Sequence, residues 1–204
     1  MWRADLAAVD DRLAGLLCDE ERARAERMID ERARRLWVRS RGILRALLGR
    51  YLQRDPGTLR FNLHPHGKPA LLGGGTAFNL SHSGTLALYA LSASGEVGVD
   101  VQTDRRRIDE TAIARRFLNA TDVRRLAQLP PPERRSEFLR AWVRHEAALK
   151  CRDAGFRADA ETSAALGTAG APGELWIADL DAGPGAAAAL ACEEGPRELR
   201  CWEW

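Results

Sequence analysis

Lysine is almost absent from this 204-residue sequence: only Lys68 and Lys150 occur among 31 basic residues. The four cysteines form no Cys-x-x-Cys pair, so we expect neither a zinc site nor a disulfide framework. No uncharged apolar run approaches the roughly 18 residues that a membrane span needs. The start, Met1–Asp5, lacks the apolar region of a signal peptide. We therefore expect a cytoplasmic protein with reduced thiols and no membrane segment.

Aromatic residues are also scarce, at 6% of the chain. Arginine exceeds acidic residues over 1–60 and 104–144, whereas acids dominate over 145–204. This asymmetry favours an anionic ligand or partner, although solvated helix faces would give the same pattern. A non-enzymatic polyanion or RNA binder would interleave aromatic and basic side chains. Only Trp37 and Tyr51 lie among the first arginines, so we expect no nucleic-acid partner.

The order of predicted elements indicates an α+β fold. Helices followed by strands occur twice, which predicts two similar α+β lobes, residues 1–103 and 104–204. In the first lobe, a helix is predicted over 19–52 and strands over 59–62, 77–82, 86–91 and 97–102. In the second lobe, helices are predicted near 109–118, 122–129 and 133–151, and strands over 174–178, 186–192 and 197–204.

The segment 97–102 alternates valine with small or polar residues. On a strand its three valines would face inward, while Asp100 and Gln102 would share the other face. Two oxygen donors side by side suit a hard divalent cation such as Mg²⁺. A polar strand end that simply faces water is the alternative interpretation.

The predicted helix around Trp142–Lys150 places Glu146 and Lys150 one turn apart on one edge. They form either a surface ion pair or a functional pair, with a carboxylate for the metal and an ammonium for a phosphate. His145 falls on the buried stripe of this helix, which is more typical of a core histidine than of a base.

Ser81 and His82 are adjacent, which at first suggests a nucleophile and its base. Neighbouring residues on a strand point to opposite faces, however, so a direct dyad is excluded, and no Gly-x-Ser-x-Gly elbow is present. Hydroxyl, imidazole and backbone N–H groups before a glycine turn can instead bind phosphate. Lys68 precedes Pro69 in a stiff turn nearby in the sequence.

These segments occur in a fixed order, and that order resembles the 4′-phosphopantetheinyl transferases. The chain length is similar to the longer, pseudo-dimeric single-chain type, the surfactin-synthetase-activating type, which serves carrier proteins of polyketide and nonribosomal peptide biosynthesis. The resemblance implies a pseudo-twofold arrangement of the two lobes, with the active site at their interface. The motifs that carry it are Gly67-Lys68-Pro69, Phe78–Ser83, Gly98–Val101 and Trp142-x-x-x-Glu146-Ala147-x-x-Lys150.

The resemblance implies transfer of 4′-phosphopantetheine from coenzyme A to a serine of an acyl or peptidyl carrier protein. Asp100 and Glu146 would hold Mg²⁺, and Glu146 would also help to deprotonate the incoming serine. One chain with two lobes could build this site alone, so we expect a monomer. The residues that the resemblance assigns to coenzyme A are Arg41 and His82 near the 3′-phosphate, Lys68 and Pro69 at the nucleotide end, and Ser81 and Lys150 on phosphates.

The sequence departs from the family pattern in three places. Gln102 stands where glutamate is frequent, so it offers the metal an oxygen without charge. His145 replaces a lysine before the motif glutamate, and only the second glycine, Gly155, remains of a Gly-x-Gly after Lys150. From the residues alone, a metal-dependent phosphodiesterase that uses Asp100 and Glu146 on a nucleotide stays open as an alternative.

Overall fold

The computed structural model describes residues 1–103, 109–153, 175–195 and 198–204. The predicted turn at Gly155 and the first residues of two predicted strands, Glu174 and Arg197, lie outside these ranges. Short 3₁₀ helices span Asp11–Leu16 and Pro56–Thr58. The α-helices are α1 (Asp19–Glu26), α2 (Glu31–Leu52), α3 (Glu110–Phe117), α4 (Ala120–Ala127) and α5 (Pro131–Arg152). The strands are β1 (Trp2–Asp5), β2 (Phe61–Leu63), β3 (Pro69–Leu71), β4 (Ala77–Ser83), β5 (Leu86–Ser92), β6 (Val97–Thr103), β7 (Trp176–Leu180), β8 (Ala186–Cys192) and β9 (Trp202–Glu203).

The prediction of one helix over 19–52 is wrong, because the chain forms two helices there. Asp30 has extended backbone angles, and its side chain accepts a hydrogen bond from the amide of Ala33. This is an N-cap, which starts a new helix by satisfying one of its free N–H groups. Ile29, which the apolar pattern assigned to the helix face, is fully exposed at the break.

The other helices and most strands lie within two residues of their predicted ends. Two strands were not predicted, β1 and β3, since they have only four and three residues, which is too short for a clear strand pattern. Within residues 198–204, the described part of the predicted strand over 197–204, only Trp202 and Glu203 pair with another strand, β1, and they form β9. The mixed α+β class is confirmed.

Three sheets connect these strands in the order β4-β5-β1-β9, β6-β8-β7 and β2-β3. The pairing is antiparallel in every described pair except β1–β9, which is parallel. Strand β6 lies before the predicted boundary at residue 103, yet it pairs with β8 along its whole length. The two halves of the chain are therefore linked through hydrogen-bonded strands as well as through packing.

Each long helix buries its apolar stripe against one sheet. Helix α2 contributes Ile43, Leu44, Leu47 and Leu48 to a core that includes residues of β1, β4 and β5. Helix α5 packs small residues such as Ala147 against β8. As the alternating pattern predicts, all three valines of β6 are buried, in a core with residues of β5 and β8. No described helix is both long enough and apolar enough to cross a membrane.

Strands β4 and β6 are joined by side chains rather than by a backbone ladder. Three polar residues on one face of β4, spaced two apart, accept hydrogen bonds from alternate backbone amides of β6. Asn79 Oδ1 accepts from Val99 N at 2.9 Å, Ser81 Oγ from Val101 N at 3.3 Å and Ser83 Oγ from Thr103 N at 3.0 Å. We call these three residues the β4 rungs.

The backbones of β6 and α5 are in direct contact at Gly98. A Cβ atom at this position would overlap the carbonyl oxygen of Ala147 and the amide nitrogen of Cys151. Both obstacles are backbone atoms of a helix, so they cannot rotate away as a flexible side chain would. Glycine is therefore required here by the close approach, and not by its backbone angles.

We expect Gly98→Ala to lower the free energy of unfolding by about 3 kcal/mol or more, as overpacking against rigid neighbours does. For a chain of this size the melting temperature would fall by roughly 6–12 °C. The measurement is thermal unfolding followed by circular dichroism. Gly15→Ala is the matched control, because a Cβ there meets no atom within 4 Å, and an unchanged melting temperature for Gly98→Ala would contradict the close contact.

Candidate active site

Strands β4 and β6 and helix α5 bring together three of the predicted site residues, Ser81, Asp100 and Lys150. Asp100 on β6 is only 2% exposed. Its Oδ1 atom lies 2.6 Å from Lys150 Nζ of α5 and 2.7 Å from the hydroxyl of Ser81, which donates to it. Lys150 Nζ also donates to Ser81 Oγ and to the carbonyl of Val99, each at 3.2 Å.

Glu146 lies on the same edge of α5 and is half-buried. Burial, and secondly the negative charge of Asp100, raise the pKa of Glu146 to about 7, while the ammonium of Lys150 acts in the opposite direction. Its buried Oε1 atom has no hydrogen-bond partner among the described residues. A buried carboxylate oxygen without a donor is costly unless it is protonated or meets a cation.

The fit of a divalent cation can be judged from these groups. No cluster of three or more His, Cys, Asp or Glu side chains capable of holding a metal is found in the described ranges. Asp100 and Glu146 are nevertheless suited to Mg²⁺, because the charge of Asp100 disfavours ionisation of Glu146 and one oxygen of Glu146 is buried without a donor; Mg²⁺ binds few protein oxygens and keeps several waters. The residues present therefore fit a cation that substrate oxygens and water also coordinate.

Gln102 lies two residues beyond Asp100 on the same face of β6. Its amide nitrogen donates to Asp100 Oδ2 at 3.4 Å, a long hydrogen bond. Rotation of the amide by 180° would exchange its nitrogen and oxygen at this position. Gln102 is thus close enough to Asp100 to serve a shared ion, and its direct role as a metal ligand remains a prediction.

Lys68 is almost fully buried, and its ammonium has three protein acceptors. They are Glu96 Oε2 at 2.6 Å and the carbonyls of Val97 at 3.0 Å and Cys151 at 3.4 Å. These contacts tie the β2–β3 hairpin to the start of β6 and the end of α5. Lys68 and Pro69 also line a cavity of about 330 Å³. Their assignment to the nucleotide end of coenzyme A stays a prediction.

Arg41 and Arg45 of α2 share the carboxylate of Glu21, which belongs to α1. Burial alone would raise the pKa of Glu21, but hydrogen bonds from Arg45 and Arg41 lower it. The guanidinium of Arg41 lies 4.5 Å from the centre of the Phe61 ring. The sequence interpretation missed Glu21 and Arg45. A signal for Glu21 was available: it lies three residues after Cys18, the N-cap of α1, and its side chain accepts a hydrogen bond from the Cys18 amide, as in a capping box.

The two histidines of the motifs differ in their surroundings. His82 is the more exposed neighbour of buried Ser81 on β4, and partial burial and the charge of Lys150 lower its pKa. His145 is buried beside Trp142, with 5.7 Å between ring centres, and burial lowers its pKa. Both rings are therefore mainly neutral at pH 7 in the free protein.

The chain is similar to known proteins over most of its length. Residues 96–179, which include Asp100, Glu146 and Lys150, match the 4′-phosphopantetheinyl transferase superfamily. The chain belongs to this family. It is 35% identical to the 4′-phosphopantetheinyl transferase HetI of a Nostoc species over 81% of this chain and 73% of that protein. It is 31% identical to the 4′-phosphopantetheinyl transferase AcpT of Salmonella typhimurium over 74% of each chain.

The raised pKa of Glu146 predicts a pH dependence of stability when no divalent cation is present. Between the ordinary pKa of about 4.3 and about 7, the folded protein keeps a proton that the unfolded chain releases. The stability contributed by this proton is present at low pH and is lost as the pH rises through 7. Glu146→Gln has no such proton. The melting temperature of the variant minus that of the wild type should therefore rise by a few degrees between pH 5 and pH 8.

Differential scanning calorimetry in a chelating buffer measures this difference. Glu133→Gln changes an exposed acid in the first turn of the same helix, and its difference from the wild type should stay constant over the same range. A constant difference for Glu146→Gln as well would mean that the carboxylate of Glu146 is ionised as readily in the folded protein as in the unfolded chain.

Proposed function

We propose that this protein transfers the 4′-phosphopantetheine group of coenzyme A to a serine hydroxyl of an apo carrier protein and releases adenosine 3′,5′-bisphosphate. The observation that carries the proposal is its membership of the 4′-phosphopantetheinyl transferase superfamily over the segment that contains Asp100, Glu146 and Lys150. The same membership disfavours a phosphodiesterase, whose acceptor would be water instead of a serine.

In this reaction the serine oxygen of the carrier attacks the phosphorus that bears pantetheine, and the bond from that phosphorus to the bridging oxygen breaks. The serine proton must leave, and the electron pair of the broken bond goes to adenosine 3′,5′-bisphosphate. We assign the proton to Glu146, directly or through water. The pKa of Glu146 is about 7 in the metal-free protein, so this carboxylate can take up a proton near neutral pH; a bound cation would lower that pKa.

Charge neutralisation is the second requirement. A Mg²⁺ ion held by Asp100 and Glu146, with Gln102 as a further oxygen donor, would supply it at the pyrophosphate. Lys150 contributes from the protein side: its ammonium lies on Asp100 in the free protein and would turn to a phosphate oxygen when substrate arrives. No covalent intermediate on the protein is needed, so the chain mainly positions and neutralises.

Coenzyme A is assigned to the residues that the resemblance named. His82 and Arg41 would bind the 3′-phosphate. Among the described contacts of Arg41, a hydrogen bond to Glu21 uses Nε, which leaves the two terminal nitrogens for a ligand. Lys68 and Pro69 would border the nucleotide, and Ser81 and Lys150 would lie near the pyrophosphate.

We infer that the chain is of the longer, pseudo-dimeric type, with lobes 1–103 and 104–204 related by a pseudo-twofold axis and the site between them. What supports this is a correspondence of elements. Helices α2 and α5 each have 22 residues and begin one hundred positions apart. Strands β5 and β8 each have seven residues and also begin one hundred positions apart. The sheets repeat the order β4-β5-β1 as β7-β8-β6, so β6 corresponds to β1 and groups with the strands of the second lobe, although it precedes the boundary at residue 103. Both helices end in a left-handed non-glycine residue, Gln53 and Asp153.

Such a chain would contain both halves of the site, so we propose that it is a monomer. We also propose that it acts in the cytoplasm. The carrier proteins would be those of polyketide or nonribosomal peptide biosynthesis. Incubation with coenzyme A, Mg²⁺ and a panel of apo acyl and peptidyl carriers tests this: mass spectrometry should show the gain of one phosphopantetheine on the preferred carrier. Failure to modify any carrier of the panel would contradict the proposal.

Asp100→Asn should reduce transfer by at least about 100-fold, because it removes charge from the metal and phosphate site while keeping the side-chain shape. The readout is the initial rate of carrier modification at saturating coenzyme A. The control is Asp179→Asn on β7, which breaks a partly exposed ion pair with Arg144 of α5 and should leave the rate unchanged. Near-normal turnover of Asp100→Asn would show that this carboxylate is not part of the active site.

Coenzyme A should bind more tightly than dephospho-coenzyme A, and Arg41→Ala should reduce that preference. A hydrogen bond between arginine and an ionised phosphate contributes about 1.5–3 kcal/mol, so the affinity ratio should fall by roughly tenfold or more. Isothermal titration calorimetry with both ligands measures the ratio. Arg50→Ala, at an exposed position of the same helix, should preserve it; equal affinities of the wild type for both ligands would refute the 3′-phosphate assignment.

A further inference from the structure

Both carboxylate oxygens of Asp100 already have partners in the free protein. Oδ1 lies 2.6 Å from Lys150 Nζ and accepts a hydrogen bond from the β4 rung Ser81 at 2.7 Å. Oδ2 lies 3.4 Å from the amide nitrogen of Gln102. We propose that Lys150 and Gln102 close Asp100 to divalent cations until coenzyme A binds, so that the metal ion enters the site with coenzyme A or after it. This inference rests on the proposed function.

The ammonium of Lys150 is the first obstacle to a metal ion. A divalent cation on the same carboxylate would lie close to a charge of its own sign, and such repulsion is much stronger inside a protein than in water. Asp100 is only 2% exposed, so little solvent screens it. The other hydrogen-bond acceptors of Lys150 among the described residues, the Ser81 hydroxyl and the carbonyl of Val99, are uncharged. A cation that displaced the ammonium would therefore cost Lys150 its charged hydrogen-bond partner in this part of the chain.

The amide of Gln102 is the second obstacle. A glutamine side chain has N–H donors on one side of its amide and an acceptor oxygen on the other. The carboxylate of Asp100 only accepts, so the nitrogen of Gln102 is the atom that faces Oδ2 in the free protein. A hard divalent cation requires the opposite orientation, with the oxygen toward the ion. Gln102 can therefore support the closed carboxylate or bind the ion, but it cannot do both in one orientation.

The pyrophosphate of coenzyme A supplies what both changes require. Its oxygens are anionic acceptors, so Lys150 exchanges one charged partner for another when it leaves Asp100. Its oxygens can also complete the coordination of an ion that has few protein ligands. The carboxylate of Asp100 is then open, and the amide of Gln102 can turn its oxygen to the same ion. Metal ion and coenzyme A therefore raise each other's affinity, and this coupling is reciprocal.

Gln102→Glu is the sharpest test, because the new side chain has nearly the same shape but no N–H group with which to close Asp100. The matched control is Gln128→Glu, the same change at an exposed position at the end of α4. Lys150→Met removes the ammonium and keeps much of the apolar stem, so the two obstacles are tested separately.

The measurement is the dissociation constant of Mn²⁺, which shares the oxygen preference of Mg²⁺. It is obtained from the electron paramagnetic resonance signal of the free ion, once without coenzyme A and once at saturating coenzyme A. A titration of coenzyme A with Mn²⁺ in the absence of protein corrects for the complex that they form in solution. Isothermal titration calorimetry of coenzyme A with and without Mn²⁺ should give the same coupling ratio.

The wild type should bind Mn²⁺ at least about tenfold more weakly without coenzyme A than with it, a coupling within the usual range between two sites. Without coenzyme A, Gln102→Glu and Lys150→Met should each bind Mn²⁺ about tenfold more tightly than the wild type, because Asp100 is open in both. At saturating coenzyme A the gain of Gln102→Glu should shrink to about threefold or less, because the wild-type carboxylate is then open as well. Gln128→Glu should match the wild type in both conditions.

Equal gains of Gln102→Glu with and without coenzyme A would overturn the proposal, because position 102 would then add charge to the ion without controlling access to Asp100. An unchanged Mn²⁺ affinity of free Lys150→Met, or a wild-type affinity that does not depend on coenzyme A, would overturn it as well. These constants are obtained without a carrier protein, so the carrier assay tests the proposed function independently.

Discussion

The backbone contact between β6 and α5 at Gly98 determines the geometry of the whole site. The helix residues that Gly98 meets are Ala147 and Cys151, and each directly follows a residue of the candidate site, Glu146 and Lys150 respectively. Because the strand lies directly against the helix, Asp100, two residues further along β6, comes within 2.6 Å of the Lys150 ammonium. A larger residue at the contact would separate strand and helix, and the acidic and basic groups would lose their common centre.

The ammonium of Lys150 lies beside two carboxylates, those of Asp100 and Glu146, and this excess of negative groups is the central electrostatic property of the site. Lys150 neutralises Asp100 at close range, so Glu146 is left with a buried oxygen that lacks a donor. The free protein resolves this by holding a proton on Glu146 up to about pH 7. A divalent cation would satisfy the same deficit of positive charge, and its binding would then release the proton from Glu146.

Local patterns in the sequence predicted the elements that carry the chemistry. The alternation of Val97–Gln102 predicted a strand with buried valines and Asp100 on the other face, and the spacing of Glu146 and Lys150 predicted one edge of a helix. Both patterns depend only on the periods of a strand and a helix. The order of the motifs then indicated the family, which the comparison with known proteins confirmed.

Contacts between distant segments could not be predicted in the same way. The break at Asp30 depends on a capping hydrogen bond that competes with a continuous apolar pattern. The partners of Lys68 are Glu96 and residues of β6 and α5, all far along the chain, so its burial has no local signal. Glu21 was hidden for the same reason, since its two arginine partners lie on another helix. The partners of the Ser81 hydroxyl likewise follow from the position of β4 beside β6, which no periodicity encodes.

The pairing of Glu21 with Arg41 and Arg45 has a consequence for the thermodynamics of ligand recognition. An arginine that is free in solution loses much of its rotamer entropy when it closes on an anion. Arg41 is already held between a carboxylate and the ring of Phe61, so that loss occurs during folding. A ligand anion that meets Arg41 would therefore encounter a group that is oriented in advance, and would lose less affinity to ordering of the protein. The same buried carboxylate would therefore contribute both to the packing of α1 against α2 and to the strength of anion binding.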